Sequence, residues 1–295
     1  MPLVLRPLRA GGKYRGHLPE LRFVDNLWPS FGDPMESVLS MRPDTLTLRG
    51  CDIDALTRSE TVGQVMGAVQ AQQDCWVVTV NVDILRRLVL DQSFVTLTRP
   101  ATLRVADGMP LVWASKLAGE PLPERVCGSD LVEPLADAAA RSGVPVLFLG
   151  GEPGAADEAA ALLARRYPGL NVTTHCPPFG FEQDAAASQA VENVIRESDA
   201  RLVFVGLGCP KQEKLIAKLM PSFPGRAWLG VGFSFSFIAG RASRAPRWLQ
   251  VIGLEWLHRL ATEPARLWRR YLVDDIPFTL GLLLWAVRRR FSGCN

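Results

Sequence analysis

The stretch Val205-Gly206-Leu207-Gly208-Cys209-Pro210-Lys211-Gln212-Glu213-Lys214 closes an apolar, β-branched run that opens at Arg201. Together they read as a buried strand over Arg201 to Val205, a glycine turn and a helix start. Gly206 and Gly208 let the backbone turn tightly and approach a ligand, and Pro210 suits the first turn of a helix. Free amides at such a start would face an anion, so a phosphate is the expected ligand. Taken alone the pattern fits an ordinary strand-to-helix turn just as well. Its weight comes from neighbours that repeat it.

Strands are expected at Leu46 to Arg49, Trp76 to Asn81, Val144 to Leu149, Val172 to His175 and Trp228 to Phe233. Helices are expected between them, at Ser59 to Gln72, Asp83 to Leu90, Ala155 to Tyr167 and Ala185 to Glu197. This alternation implies an α/β, Rossmann-like fold: a parallel sheet with helices on both faces and ligands outside the carboxyl ends of the strands. Residues 1–45, rich in Pro, Gly and Arg, read as an irregular extension. Residues 46–240 read as the catalytic α/β domain, and 241–295 as a basic helical appendage.

The chain has 295 residues, 48% of them hydrophobic, and a net charge of +3, the balance of a globular protein. From Arg241 onward ten arginines face four acids, so this last part carries +6 and the rest −3. That asymmetry suits a diphosphate or an anionic lipid surface. Nucleic acid is not expected, because the core has no basic stripe with interleaved aromatics. Six scattered cysteines without a CxxC pair and three histidines exclude zinc-type spacing and point to a reduced compartment. No secretory signal is read in the first residues, so a cytoplasmic location is expected. The apolar run Ile276 to Val287 has 12 residues, where a spanning helix needs about 20. It would lie on a membrane rather than cross it.

Thr79 and Asn81 end a strand two residues apart, hence on one side of it, as a sugar or nucleotide site would require; strand-end capping is the plain alternative. Asp107, in Val105-Ala106-Asp107-Gly108-Met109, is a carboxylate in an apolar setting, suited to a raised pKa and a general-base role, or else part of an Asp-Gly turn. Glu124 to Leu131 reads as a loop into a helix with Ser129 or Asp130 as cap, leaving Arg125 able to reach a phosphate, with a surface ion pair as the plain alternative. His175 to Gly180 reads as a stiffened loop walling a pocket. Asp52-Ile53-Asp54 has the Asp-x-Asp form of some metal-dependent transferases, but too few oxygen ligands converge there for a metal to be expected. In the appendage, Arg259, Arg266 and Arg269 accompany Trp248, Trp256, Trp268, Tyr271 and Trp285, a pairing typical of a membrane interface or of a packed helical subdomain with a basic face.

Thr79-Val80-Asn81, Ala106-Asp107-Gly108, Glu124-Arg125 with Gly128 to Leu131, Gly206 to Lys214, and Gly240 through Tyr271 together resemble the WecG/TagA/CpsF family of bacterial glycosyltransferases. The resemblance covers about residues 46–272. It implies an inverting, metal-independent enzyme without cofactor that moves a sugar from a UDP-sugar to a polyprenyl-diphosphate-linked saccharide, for exopolysaccharide or another cell-surface glycan. The enzyme would be peripheral on the inner face of the cell membrane, with homo-oligomers possible. By resemblance Asp107 is the general base, Thr79, Asn81 and Gln212 hold the sugars beside Gly206 and Gly208, Arg125 meets phosphate, and Arg259, Arg266 and Arg269 reach the lipid diphosphate. Ser236 stands where the family has Asp before Phe-Leu-x-Gly, and Phe233 replaces a small residue, so sugar choice is left open. The competing readings are a nucleotide-cofactor dehydrogenase, disfavoured because GxGxxG is missing, and a membrane-attached nucleotide-sugar-binding protein without transfer activity.

Overall fold

The computed structural model describes residues 44–292. The expected irregular extension therefore lies, but for its last two residues, outside the described residues. Six parallel strands form the central sheet: β3 (Cys75–Val80), β4 (Leu103–Ala106), β5 (Val146–Gly150), β6 (Val172–His175), β7 (Leu202–Gly206) and β8 (Ala227–Gly230). Their spatial order is β4-β3-β8-β7-β5-β6. The four inner strands are buried at every position, while the edge strand β6 is only half-buried. Unbroken apolar runs such as Val146-Leu147-Phe148-Leu149 are what a strand covered on both faces requires.

The first expected strand does not join this sheet. β1 (Thr45–Leu48) pairs antiparallel with β2 (Cys51–Asp54) in a separate hairpin. Its two turn residues, Arg49 and Gly50, both have positive φ, at 50° and 84°, the turn type whose twist matches flanking strands. The Asp-x-Asp triplet lies on β2 and is already engaged: Asp52 accepts from the Thr47 hydroxyl at 2.7 Å and Asp54 from the Arg104 amide at 2.6 Å.

Helices cover both faces. On one face lie α1 (Arg58–Gln70), α5 (Gly128–Ser142) and α6 (Ala155–Arg166), packed on Val77, Phe148, Phe204 and Leu229. On the other lie α2 (Val82–Leu90), α3 (Gln92–Leu97), α4 (Met109–Ala118), α7 (Ala185–Glu197) and α8 (Lys211–Leu219), packed on Trp76, Val78, Leu147 and Trp228. Local caps fix several starts. Thr57 and Glu60 form a reciprocal capping box on α1, and Asn81, Asp91 and Asp184 cap α2, α3 and α7.

After β8 come α9 (Ser234–Ile238), α10 (Arg247–Val251), α11 (Glu255–Thr262), α12 (Pro264–Trp268), a π-helical turn over Arg269–Asp275, and α13 (Ile276–Ser292). The last helix is continuous with the core. Phe278, Leu282 and Ala286, four residues apart, are buried in the same cluster as Leu46, Leu48 and Ile53 of the hairpin, and Arg289 donates to the Thr47 carbonyl and to Glu120. The opposite face of α13 exposes Leu280, Leu284, Val287 and Phe291. Among the described residues no helix is long and apolar enough to cross a membrane.

Candidate active site

A cavity of about 540 Å³ opens over the carboxyl ends of β3, β4, β7 and β8 and is roofed by the segment from Gly253 to Leu283. This is where an open parallel sheet places its ligands. Thr79, Asn81, Asp107, Arg125, Gly208, Gln212, Arg259 and Arg266 all line it.

Asp107 follows β4, where its amide donates to the Val80 carbonyl at 2.8 Å. The Val126 amide donates to the Ala106 carbonyl at 2.7 Å, drawing the Arg125 to Cys127 loop alongside the same strand end. Burial pushes the Asp107 carboxyl above the usual range; hydrogen bonding from the Cys127 thiol and the Arg125 charge oppose that, while Glu255 and Asp130 add to it. A carboxylate raised in this way is a stronger proton acceptor than a free one.

Gln212 is 6% exposed, and its side-chain carbonyl accepts from the amides of Gly208 and Gly232, both at 3.1 Å. The Gly208 amide expected to meet a phosphate is thus occupied from within, and Gln212 splices the β7 turn to the β8 turn. A Cβ on Gly230 would sit 2.3 Å from Gln212 Nε2, so this splice requires a glycine. Gly206 does not reach the cavity: it ends β7, where a Cβ would meet Phe235 at 2.8 Å. Asn81 lines the cavity and caps α2, accepting from the Ile84 amide at 3.0 Å, so the capping reading is the one seen directly.

Arg125 is not free. It donates to Glu255 at 3.1 Å and contacts Asp130 at 3.5 Å, and Arg244 in turn pairs with Asp130 and with Glu255. These two arginines and two carboxylates form a ring of alternating charge that fastens α11 to the start of α5. Asp130 is consequently in an ion pair instead of capping, and neither it nor Ser129 closes the α5 N-terminus, where Cys127 holds the cap position. His175 lies at the end of edge strand β6, outside the cavity, and burial lowers its pKa.

The roof contributes Trp256 and Tyr271, edge to face at 6.0 Å, and Arg259 above the Phe237 ring at 6.0 Å. Arg269 is exposed and does not line the cavity; Arg270 does. Three- and four-residue spacings from Arg266 share a helix face, and of the two it is the fourth residue that lines the cavity. Sequence reasoning also passed over Glu255, Cys127, Trp113 and Asp275, whose placement depends on long-range contacts without a local pattern. Among the described residues no three His, Cys, Asp or Glu side chains gather in a way that could hold a metal ion.

Residues 46–292 match the model of the Glycosyl transferase WecG/TagA/CpsF family. The chain belongs to this family. Within the WecG/TagA/CpsF glycosyltransferases it resembles an N-acetylglucosaminyldiphosphoundecaprenol N-acetyl-β-D-mannosaminyltransferase of Bacillus spizizenii, 34% identical over 67% of this chain and 74% of the relative. Relatives of the same name are found in Staphylococcus aureus, 28% identical over 81% of this chain and 92% of the relative, and in Bacillus subtilis, 28% identical over 72% and 77%. By name these relatives transfer N-acetylmannosamine to a lipid-linked N-acetylglucosamine. The family match starts within β1 and ends at the last residue of α13, so hairpin, sheet and roof all fall inside it.

Proposed function

We propose that this glycosyltransferase moves a sugar, with inversion, from a UDP-sugar to a sugar carried on a polyprenyl diphosphate at a membrane surface. The observation that carries the reading is the placement of Asp107, a half-buried carboxylate, in one cavity with Arg259 and Arg266. The acceptor hydroxyl oxygen bonds to the anomeric carbon, the bond from that carbon to the UDP oxygen breaks, and its electron pair leaves with UDP. The acceptor proton passes to Asp107. Arg259 and Arg266 offset the charge that gathers on the leaving diphosphate, a task suited to guanidinium groups, and no divalent ion is assigned to it. Thr79 and Asn81, at the end of β3, bind sugar hydroxyls.

The names of the relatives make N-acetylmannosamine the first sugar to test and an N-acetylglucosaminyl polyprenyl diphosphate the first acceptor. Membrane attachment is assigned to the outer face of the roof, where Trp248, Val251, Ile252, Leu257, Trp268, Leu272, Val273, Leu284 and Phe291 are exposed. A face this apolar beside arginines suits a lipid headgroup boundary. UDP release from a panel of UDP-sugars, with and without the lipid acceptor, tests the reading. Acceptor-dependent release from one donor, lost in Asp107→Asn and retained in EDTA, supports it. Release that is independent of acceptor, or retained in Asp107→Asn, overturns it.

A further inference from the structure

A second charge cluster lies below the roof, apart from the ring around Arg125. Asp83, 2% exposed, sits on α2 two residues beyond Asn81 and accepts from Arg86 at 2.8 Å and Arg87 at 3.3 Å, with Arg270 Nη2 at 3.7 Å. Asp275, 7% exposed, pairs with Arg270 Nε at 3.4 Å and Arg86 Nε at 3.8 Å. Two buried carboxylates thus meet three guanidinium groups, and a third buried carboxyl, Glu213, lies within reach of the Arg87 charge. Of the three arginines only Arg270 lines the cavity.

Buried ion pairs of this kind seldom repay their desolvation through stability alone, so a positional role is the economical account. Arg270 is the member such a role would serve. Asp83 and Asp275 grip it from two elements, and its guanidinium lies 5.6 Å from the centre of the Tyr271 ring. Its orientation is therefore set before any ligand arrives, which spares the ordering cost of binding. A planar cation fixed in this way recognises paired phosphate oxygens.

We infer that Arg270, aimed by the buried pair Asp83 and Asp275, is a diphosphate-binding residue of this site, and that the cation contributed by this part of the roof is Arg270 and not Arg269. Asp83 and Asp275 act through Arg270 and are positioning residues. The inference rests on the transfer reaction proposed above, because both substrates of that reaction carry a diphosphate.

The test uses the full chain, titrated calorimetrically with UDP and separately with geranyl diphosphate, so that the donor and lipid sources of the diphosphate are distinguished. Arg270→Gln is expected to weaken at least one of the two by about tenfold or more, as loss of a charge-assisted pair would, with Arg270→Lys recovering part of the loss. Asp83→Asn is expected to weaken the same ligand in the wild-type background and to add nothing in the Arg270→Gln background, a coupling that general destabilisation would not produce. Melting temperatures establish that each variant is folded. Binding of both ligands within twofold of wild type in folded Arg270→Gln, or a loss that follows Arg269→Gln instead, overturns the inference while leaving the transfer reaction standing. A wild-type protein that binds neither diphosphate and releases no UDP overturns both.

Discussion

Glu255 accepts a hydrogen bond from Arg125 at 3.1 Å across 130 positions of the chain. One partner belongs to the loop beside Asp107, the other to the first turn of a roof helix. Because Arg244 and Asp130 complete the ring, a change at Glu255 is felt both where the roof is attached and at the Asp107 carboxyl, whose pKa Glu255 helps to raise.

Glu255→Ala leaves two partly buried guanidinium groups sharing Asp130. Removing one partner of a buried pair costs about 3–5 kcal/mol; with Arg125 and Glu255 still about a fifth exposed, roughly 1–3 kcal/mol is expected here. The variant should melt lower, be cut by protease between residues 240 and 255 faster than wild type, and turn over at least tenfold more slowly. Limited proteolysis beside a rate assay checks all three.

Asp107→Asn should lower turnover by about a thousandfold or more while keeping the fold. Burial raises the folded pKa of Asp107, so the ionised base is lost as pH falls through that raised value, and the acid limb of the rate profile lies above the range of a free carboxyl. The same sign makes the ionised carboxylate unfavourable to folding near neutrality. The Asn variant should therefore melt no lower than wild type at pH 7.5, which calorimetry would show.

Asp275 is pushed up to about 6, chiefly by burial and also by Asp83, against the pull of Arg270 and Arg86. Its unfolded value lies near 4, so the native state holds the proton more tightly. This contribution to stability is complete below about pH 4 and is lost as pH rises through 6. Melting curves of wild type and Asp275→Asn should diverge across that window in favour of the variant; parallel curves would contradict the assignment.

Leu272 and Leu284, 47% and 61% exposed, belong to the apolar outer face. Leu272→Glu with Leu284→Glu should reduce binding to anionic vesicles by about tenfold or more, since each buried leucine contributes roughly 1.5–3 kcal/mol. Sedimentation with vesicles measures it. Melting should be unchanged, because neither side chain packs in the core.

The inner strands were legible because burial on both faces demands unbroken apolar runs: β3, β5 and β7 read as strands from composition alone. The short strand β4 was not, because Arg104 interrupts Leu103-Arg104-Val105-Ala106. The hairpin was half read: β1 was found, but the Arg49-Gly50 turn lacks the usual Asn-Gly or Asp-Gly signature, so β2 and the antiparallel pairing went unseen. At the site, residues on strand ends could be named from local pattern. Glu255 and Asp275 could not, since their roles exist through partners from distant segments, and the choice between Arg269 and Arg270 lies between two spacings that share a helix face.

Leu280 both lines the cavity and remains 58% exposed on α13. One side chain therefore belongs to the cavity and to the outer apolar face at once. On the proposed reading, a polyprenyl tail would stay in its own solvent throughout the reaction, and only the diphosphate and its sugar would cross into the protein. Discrimination among acceptors would then fall on the head group and the first isoprene unit, leaving the enzyme indifferent to how long the tail is.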